Sequence, residues 1–273
     1  MNTVIPFTKV VGAGNDFVIV DDRRSRLRQL PRLARAMCDR RRGIGADGLL
    51  VAARARRGDI RMRIFNPDGS EPEMCGNGAR CFALYAHQRG FARRRLQLET
   101  RAGTLGAEVL NGSRVRLEMP RPRQLRQESL RVGARTRRIY RASVGNPHVV
   151  IVVRDIARAP VVTLGRAIRR HRRFAPAGTN VNFVQPGRAV SQLRTYERGV
   201  EDETPACGTG ATATAAVLAV YRRARSPVTL RVRSGDCLHV SFAIRNDVIQ
   251  RAWLEGPARI VYTGTFVRGG RHR

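Results

Sequence analysis

Lysine is almost absent from this chain of 273 residues. Lys9 is the single lysine among its 52 lysine and arginine side chains. A pyridoxal phosphate enzyme carries its cofactor as a Schiff base on a lysine. Lys9 stands near the N-terminus in a strand-like run, so that cofactor is not expected. Histidine and cysteine are also sparse. The five histidines lack metal-ligand spacing and no Cys-x-x-Cys pair occurs, so we expect neither a bound metal nor any other cofactor.

Long apolar runs are missing as well. The longest uncharged stretch, Thr204 to Tyr221, has 18 residues and is rich in threonine, alanine and glycine. That composition is too polar for a membrane span. Pro6, Lys9 and Asp16 interrupt the start of the chain, which excludes the apolar core of a signal peptide. We therefore expect a soluble, cytoplasmic protein with no membrane partner.

Acidic residues are few, 21 against 52 basic ones, which leaves a net charge of +31. A charge of this size predicts non-specific binding to nucleic acid at low salt. The arginines crowd between the motifs described below, whereas eleven acidic residues lie within or close to the motif segments, namely Asp16, Asp47, Asp68, Glu71, Glu73, Glu118, Glu197, Glu201, Asp202, Glu203 and Glu255. The pattern favours a solvated basic exterior around a near-neutral site. A nucleic-acid-binding protein is the alternative from a different class, although aromatic residues make up only 5% of the chain.

The chain contains an internal duplication. Glu71–Ala79 matches Glu203–Ala211 at an offset of 132 residues, with a glutamate, a cysteine, two glycines and an alanine coinciding. Gly14-Asn15 matches Gly145-Asn146 at an offset of 131. Two shorter matches follow in the same order, Arg101–Gly103 with Arg233–Gly235 and Leu117–Pro120 with Leu254–Pro257. Four ordered matches predict two homologous halves.

Each half has the same predicted order of elements. Short apolar strands come first, then a glycine-rich turn that opens a helix, at Gly76 to about His87 and at Gly208 to about Tyr221; further strands close the half. We predict an α+β fold of two pseudo-symmetric, internally duplicated domains. Each domain is a curled, mostly antiparallel sheet around a central helix, with the active site in the cleft between them. The predicted domains are 1–120, completed by a C-terminal strand near 260–267, and 121–259. The arginine-rich stretch 121–141 is expected to join the halves.

Cys75 and Cys207 stand immediately before Gly-x-Gly-Ala at the predicted start of the long helix in each half. The first N–H groups of a helix have no partner within it, so they attract anions and favour a thiolate. A thiol on each of two pseudo-symmetric halves predicts proton removal from one face of a carbon and proton return on the other. Cys38, Cys81 and Cys237 are predicted to be core residues.

These motifs closely resemble diaminopimelate epimerase over nearly the whole chain. The matching blocks include Gly12-Ala-Gly-Asn-Asp-Phe, Phe65-Asn-Pro-Asp-Gly-Ser, Met74-Cys-Gly-Asn-Gly-Ala-Arg-Cys, Thr179-Asn-Val-Asn-Phe and Glu203-Thr-Pro-Ala-Cys-Gly-Thr-Gly. The resemblance implies a cofactor-independent epimerase that interconverts LL- and meso-diaminopimelate in lysine and peptidoglycan biosynthesis. We also expect a homodimer.

The resemblance further implies roles for individual residues. Cys75 and Cys207 would be the acid/base pair, assisted by His148 and Glu197. The reacting α-carboxylate would be held by backbone N–H groups of Gly76, Asn77, Gly208 and Thr209. A further set of side chains would line the pocket and bind the distal amino-acid centre: Asn15, Asn66, Asn146, Asn180, Glu197 and Arg198. Gly48 is a departure, because some members of the family carry a polar side chain there.

Related cofactor-independent racemases of the proline or histidine type are the alternative enzymes. The proline type carries histidine in the Cys-Gly-x-Gly turn, where this chain has Asn77. Arg198 also favours a substrate with a distal carboxylate, because a guanidinium binds a carboxylate through two parallel hydrogen bonds.

Overall fold

The computed structural model describes residues 3–110, 113–222, 224–246 and 248–268. The chain divides into two compact units: unit 1 extends to Leu117 and resumes at Pro257, and unit 2 is Glu118–Gly256. Within these ranges, no helix combines the length and apolar character that a membrane span requires.

Strands predominate among the described residues of both units, and these residues form two α-helices in each unit. The elements of unit 1 are β1 (Thr3–Gly12), β2 (Asn15–Asp21), α1 (Leu30–Cys38), β3 (Gly48–Ala53), β4 (Ile60–Phe65), α2 (Gly76–Gln88), β5 (Arg95–Thr100), β6 (Gly103–Val109) and β7 (Arg114–Met119). Those of unit 2 are β8 (Arg123–Val132), β9 (Arg135–Ser143), β10 (Pro147–Val152), α3 (Val161–Arg169), a 3₁₀ turn (Arg172–Phe174), β11 (Asn180–Gln185), β12 (Ser191–Glu197), β13 (Asp202–Thr204), α4 (Gly208–Arg222), β14 (Val228–Arg231), β15 (Cys237–Arg245) and β16 (Val248–Pro257). The last strand, β17 (Arg259–Arg268), belongs to unit 1.

The strand pairings repeat from one unit to the other. In unit 1, β2 and β3 are parallel, β3 and β4 antiparallel, β4 and β5 parallel, and β5 and β6 antiparallel. In unit 2, β10, β11, β12, β14 and β15 pair in the same sequence of orientations. β17 and β1 form an antiparallel pair in unit 1, and β8 and β9 form an antiparallel pair in unit 2. The duplicated α+β fold predicted from the sequence is confirmed.

The central strands are continuous apolar runs because both of their faces are covered. In unit 1, α1 buries Leu33 and Met37 against Val18 and Val51, which lie on β2 and β3. The longer helix of unit 1, α2, contacts β1, β2, β4 and β6, and its residues from Asn77 to Ala86 are all buried. In unit 2, α3 packs on β11 and β12, and α4 packs on β9, β10 and β11.

One sequence expectation about the elements is wrong, and one helix in each unit was not predicted. The arginine-rich stretch expected to join the halves forms the antiparallel hairpin β8–β9 of unit 2, whose turn includes Gly133 at φ +59°. Each unit also has a second, shorter helix, α1 or α3, beside the one long helix per half that was expected. Both are nine residues long and carry arginine among their apolar positions, and short helices draw most of their stability from packing, not from propensity. The predicted long helices agree with α2 and α4 to within one residue.

Candidate active site

Cys75 is the N-cap residue of α2, and its backbone is extended, with φ −135° and ψ 121°. Its Sγ accepts the N–H of Gly78 at 3.5 Å, and its carbonyl accepts the N–H of Ala79 at 2.8 Å. The amides of Gly76 and Asn77 precede that first helical hydrogen bond. A half-buried sulfur therefore stands in the positive potential of a helix start, where an anion is stabilised.

A chain of oriented amides surrounds this helix start. The buried Arg80 donates through Nη2 to Asn77 Oδ1 at 2.7 Å. Asn77 Nδ2 donates to Asn15 Oδ1 at 2.6 Å, and Asn15 Nδ2 donates to Asp47 Oδ2 at 2.9 Å. Each amide thus has its oxygen and nitrogen assigned by a neighbour, which fixes the orientation of both asparagines.

The carboxylate of Asp16 extends this chain of contacts. Burial alone would raise its pKa, but hydrogen bonds from Arg40 and Lys9, together with their charges, lower the pKa of Asp16 to about 2. Arg40 also donates to Asp47, at 2.7 Å. Asp16 is therefore ionised at neutral pH, and the Arg40 guanidinium contacts both Asp16 and Asp47.

Asn66 and Gly48 lie at strand ends in unit 1. Asn66 follows β4, and its side-chain amide donates to Ser70 Oγ at 2.9 Å, within a turn. A Cβ added at Gly48 would lie 3.1 Å from the Phe65 carbonyl oxygen and 3.4 Å from the Phe17 ring. A larger residue at Gly48 would therefore require these neighbours to shift by a few tenths of an ångström.

Cys207 precedes α4 and is almost fully buried, with 5% of its surface exposed. Its carbonyl accepts the N–H of Ala211 at 2.9 Å, and its Sγ is 3.5 Å from the Thr209 hydroxyl. The carboxylate of Glu197 forms hydrogen bonds with Thr204, at 2.8 Å, and with Cys207. Burial raises the pKa of Glu197, while these two hydrogen bonds oppose the increase. An acceptor carboxylate therefore lies beside the Cys207 thiol.

His148 lies beneath α4 on β10 and is 1% exposed. Its Nε2 is 2.7 Å from Asn146 Oδ1, and its Nδ1 is 3.2 Å from Asn182 Nδ2. Burial, with a smaller contribution from the charge of Arg198, lowers the pKa of His148 to about 3. The imidazole is consequently neutral at physiological pH.

Asn180 and Arg198 are joined at the edge of this polar group. The side-chain nitrogen of Asn180 donates to the Pro147 carbonyl at 3.2 Å. Its Oδ1 accepts the backbone N–H of Arg198 at 2.8 Å. The Arg198 guanidinium donates to the Ala177 carbonyl at 3.3 Å and stays partly exposed. A cation is therefore held close to the buried asparagines.

The three remaining cysteines lie in different surroundings. Burial raises the pKa of Cys38 and of Cys81 to about 12, so both stay protonated at neutral pH. Cys237, expected in the core, is instead partly exposed at the start of β15, because it is the first residue of a strand that follows a tight turn. Within the described ranges, no group of three or more histidine, cysteine, aspartate or glutamate side chains is arranged to hold a metal ion.

The register of the repeated strands relates the site residues of the two units pair by pair. Phe17 pairs with Gly48 across β2 and β3 as His148 pairs with Asn180 across β10 and β11. The corresponding positions are Asn15 and Asn146, Phe17 and His148, Gly48 and Asn180, Leu50 and Asn182, Asn66 and Glu197, and Cys75 and Cys207. Equivalent positions thus carry the site in both units, and unit 2 is the more polar.

Four residues with contacts to the site were not singled out from the sequence: Asp47, Arg80, Asn182 and Thr204. Asn182 could have been found, because it follows Asn180 by two positions and therefore shares its face of β11. The buried position of Arg80 gave no sequence signal, since arginine is rarely fully buried and this chain is rich in it.

Comparison with known proteins identifies one family. The chain matches the family described as diaminopimelate epimerase over residues 7–124 and 140–260. It is 39% identical to the diaminopimelate epimerase of Aquifex aeolicus, with 94% of this chain and 96% of that protein covered. It is 42% identical to that of Moorella thermoacetica, with 95% and 98% covered.

Solved structures with similar folds are more distant in sequence. A phenazine biosynthesis protein of the PhzF family from Bacillus anthracis aligns with a TM-score of 0.73 at 17% identity, over 97% of this chain and 99% of that one. A probable proline racemase from Agrobacterium radiobacter aligns with a TM-score of 0.69 at 17% identity, over 95% and 92%. At this identity the likeness establishes the fold alone.

Proposed function

The chain belongs to the diaminopimelate epimerase family, and from this premise we propose that it interconverts LL- and meso-diaminopimelate without a cofactor. Meso-diaminopimelate feeds lysine and peptidoglycan biosynthesis, so the protein would act in those pathways. The proline-type and histidine-type racemases are not favoured, because the relatives near 40% identity are named diaminopimelate epimerase.

The observation that carries the proposal is the cysteine at the start of the central helix in each unit. In the proposed reaction one sulfur, as thiolate, takes the α-proton and becomes a thiol. The planar carbanion then receives a proton from the other thiol on its opposite face, and that second sulfur is left as the thiolate. The substrate is neither oxidised nor reduced, so the step needs no redox cofactor.

The helix starts supply the electrostatic part of this chemistry. The backbone amides of Gly76, Asn77, Gly208 and Thr209 would hold the reacting α-carboxylate and its developing enolate-like charge. We assign Glu197 to assist Cys207, because its carboxylate forms a hydrogen bond with that thiol. Catalysis would then rest on donors already in place before the substrate binds.

The distal amino-acid centre would be bound by amides and ions together. Arg198 suits the distal carboxylate, and the oxygens of Glu197 suit the distal ammonium. The remaining contacts would come from Asn15, Asn66, Asn146 and Asn180. The oriented amides of Asn15 and Asn146 support this assignment, because a fixed amide distinguishes a donor from an acceptor.

We propose the cytoplasm as the location, because two functional thiols need a reducing compartment. A homodimer is proposed as the assembly, and size-exclusion chromatography with light scattering would test it.

The decisive experiment is incubation with LL-diaminopimelate in deuterated water. We expect deuterium at Cα together with formation of the meso isomer, and no exchange into proline or histidine. Added pyridoxal phosphate or a chelator should change nothing. Exchange into proline alone would contradict the proposed substrate, and activity lost to the chelator and restored by a metal would contradict the cofactor-free reaction.

A further inference from the structure

The buried polar group beneath α4 contains a residue without an assigned role, Asn182. Its side chain is 0% exposed and lies between His148 on β10 and Thr195 on β12. Its nitrogen contacts the Val149 carbonyl at 3.0 Å and His148 Nδ1 at 3.2 Å, and its oxygen accepts the Thr195 hydroxyl at 3.0 Å. Both hydrogens of the Asn182 NH₂ group and its side-chain oxygen therefore take part in hydrogen bonds.

These contacts determine the position of the proton on His148. The Val149 carbonyl can only accept, so the group that faces it is the NH₂ of Asn182. The second hydrogen of that NH₂ points at His148 Nδ1, which must therefore present a lone pair. A neutral imidazole with a lone pair on Nδ1 carries its proton on Nε2. That N–H donates to Asn146 Oδ1 at 2.7 Å, which turns the NH₂ of Asn146 away from the histidine.

The equivalent positions of unit 1 show that the fold does not require this polar group. Phe17 stands where unit 2 has His148, and Leu50 stands where it has Asn182. Both apolar residues are buried beside Gly78 of α2, as Asn182 is buried beside Gly210 of α4. Burying polar side chains costs stability unless all their hydrogen bonds form, so an apolar pair would serve packing alone at least as well.

We propose that Asn182 is a positioning residue that holds His148 with its proton on Nε2, so that this histidine acts in the reaction as a hydrogen-bond donor and not as a base. This inference rests on the proposed function for its reaction. It revises the role expected from the sequence, in which His148 assists a thiol, because a ring whose only lone pair faces Asn182 cannot take a proton from a thiol. It also makes Asn146 present N–H groups, which suit a carboxylate oxygen.

The position of the proton can be measured directly. We expect ¹⁵N–¹H spectra of the full chain, labelled on histidine, to show Nε2 protonated and Nδ1 unprotonated for His148 at pH 7, with the signal assigned by its loss in His148→Gln. In Asn182→Asp the side chain can only accept, so the proton should appear on Nδ1. Thr195→Val removes only the hydroxyl that donates to Asn182, so the Nε2–H signal should remain.

A pair of substitutions at His148 separates donation from proton removal. Glutamine can accept from Asn182 and donate to Asn146, but it cannot act as a base. If His148 donates, His148→Gln should keep at least about a tenth of the wild-type kcat, while His148→Leu loses about 100-fold. Asn182→Asp should lose about as much as His148→Leu.

The NMR measurement and the kinetics of the His148 variants together test this inference separately from the proposed function. A wild-type His148 protonated on Nδ1, or doubly protonated, overturns the role of Asn182 whether or not the protein is active. His148→Gln as inactive as His148→Leu, with both folded, overturns the donor role. An Nε2–H ring in a folded protein without epimerase activity supports the positioning by Asn182 and refutes the proposed reaction.

Discussion

The two candidate catalytic thiols differ in the residues that contact them. Cys75 receives an N–H from Gly78 and is half-buried, whereas Cys207 is buried beside the Glu197 carboxylate. A donor next to a sulfur favours its thiolate, and an acceptor next to a sulfur favours its thiol. The two thiols therefore stand in different surroundings, with a backbone donor beside Cys75 and a carboxylate beside Cys207.

Removing either thiol should abolish epimerisation. Cys75→Ala and Cys207→Ala each delete one of the two acid/base groups, so we expect kcat to fall by at least about 100-fold in each variant. Conversion of LL- to meso-diaminopimelate, followed by chiral chromatography, measures this loss. Cys81→Ala and Cys237→Ala are the matched controls and should keep the wild-type kcat. A single alanine variant at Cys75 or Cys207 with near-normal turnover would refute the two-thiol reaction.

Glu197 should control the acidic side of the pH profile. Because burial raises its pKa, its protonation should begin at a higher pH than for an ordinary glutamate. Activity should fall as that pH is approached from above, since the protonated form no longer accepts from Cys207. We expect Glu197→Gln to lower kcat about 100-fold and to remove this acidic limb. An acidic limb that is unchanged in the variant would exclude Glu197 as its source.

At the scale of elements, each helix start approaches the strands beneath it through a glycine. Gly78 of α2 lies over Leu50, and Gly210 of α4 lies over Asn182. A Cβ added at Gly78 would meet the end of the Leu50 side chain at 3.3 Å, which can move. One added at Gly210 would collide with Asn182 Oδ1, and three hydrogen bonds, one to Oδ1 and two from Nδ2, hold that side chain in place. An added methyl group at the second glycine of the Cys-Gly-x-Gly motif is therefore expected to be tolerated better in unit 1 than in unit 2.

Gly78→Ala and Gly210→Ala form a matched pair that tests this difference. Gly210→Ala should lower the free energy of unfolding by about 1–3 kcal/mol through overpacking, and it should reduce kcat as Asn182 shifts. Gly78→Ala should change stability by less than about 1 kcal/mol, because the helix propensity of alanine offsets the small displacement of Leu50. Urea unfolding of both variants measures the two free energies. Equal losses would contradict the asymmetry.

At the scale of the whole molecule, the charge of +31 lies mainly outside the candidate site. Arginines such as Arg131, Arg135 and Arg138 are exposed on the hairpin β8–β9. The carboxylates nearest the site are engaged, with Asp16 paired to Lys9 and Arg40. The basic exterior is therefore expected to attract polyanions, whereas Asp16 beside the candidate site is already paired with cations.

Binding to nucleic acid should follow from this exterior and should be weak at physiological salt. We expect duplex DNA of random sequence to bind at low salt and to be released as salt rises, because the affinity comes from displaced counterions. Fluorescence anisotropy over a salt series measures the dependence. Tight binding that persists at physiological salt, in a protein without epimerase activity, would favour the nucleic-acid alternative.

Several features of the fold and the candidate site could be predicted from the sequence. The duplication, the two long helices and both N-cap cysteines follow from local patterns, namely a repeated Cys-Gly-x-Gly-Ala frame and alternating apolar residues. The second helix of each unit was not predicted although its apolar residues recur at helical spacing, because a segment of nine residues with two arginines is too short for propensity alone to stabilise a helix. The hairpin β8–β9 was not predicted because β8 carries only three apolar residues among ten.

The sequence by itself determined which residues are available for the chemistry, because a helix start and the residues that cap it depend on neighbours along the chain. The tertiary structure alone decided how those residues are oriented. His148 and Asn182 are 34 positions apart, and Asn15 and Asn77 are 62 apart, yet each pair is joined by one hydrogen bond. Strand register sets such contacts, and it arises from the packing of the whole sheet. The neutral state of His148 and the paired charge of Asp16 therefore arise only once each unit is folded.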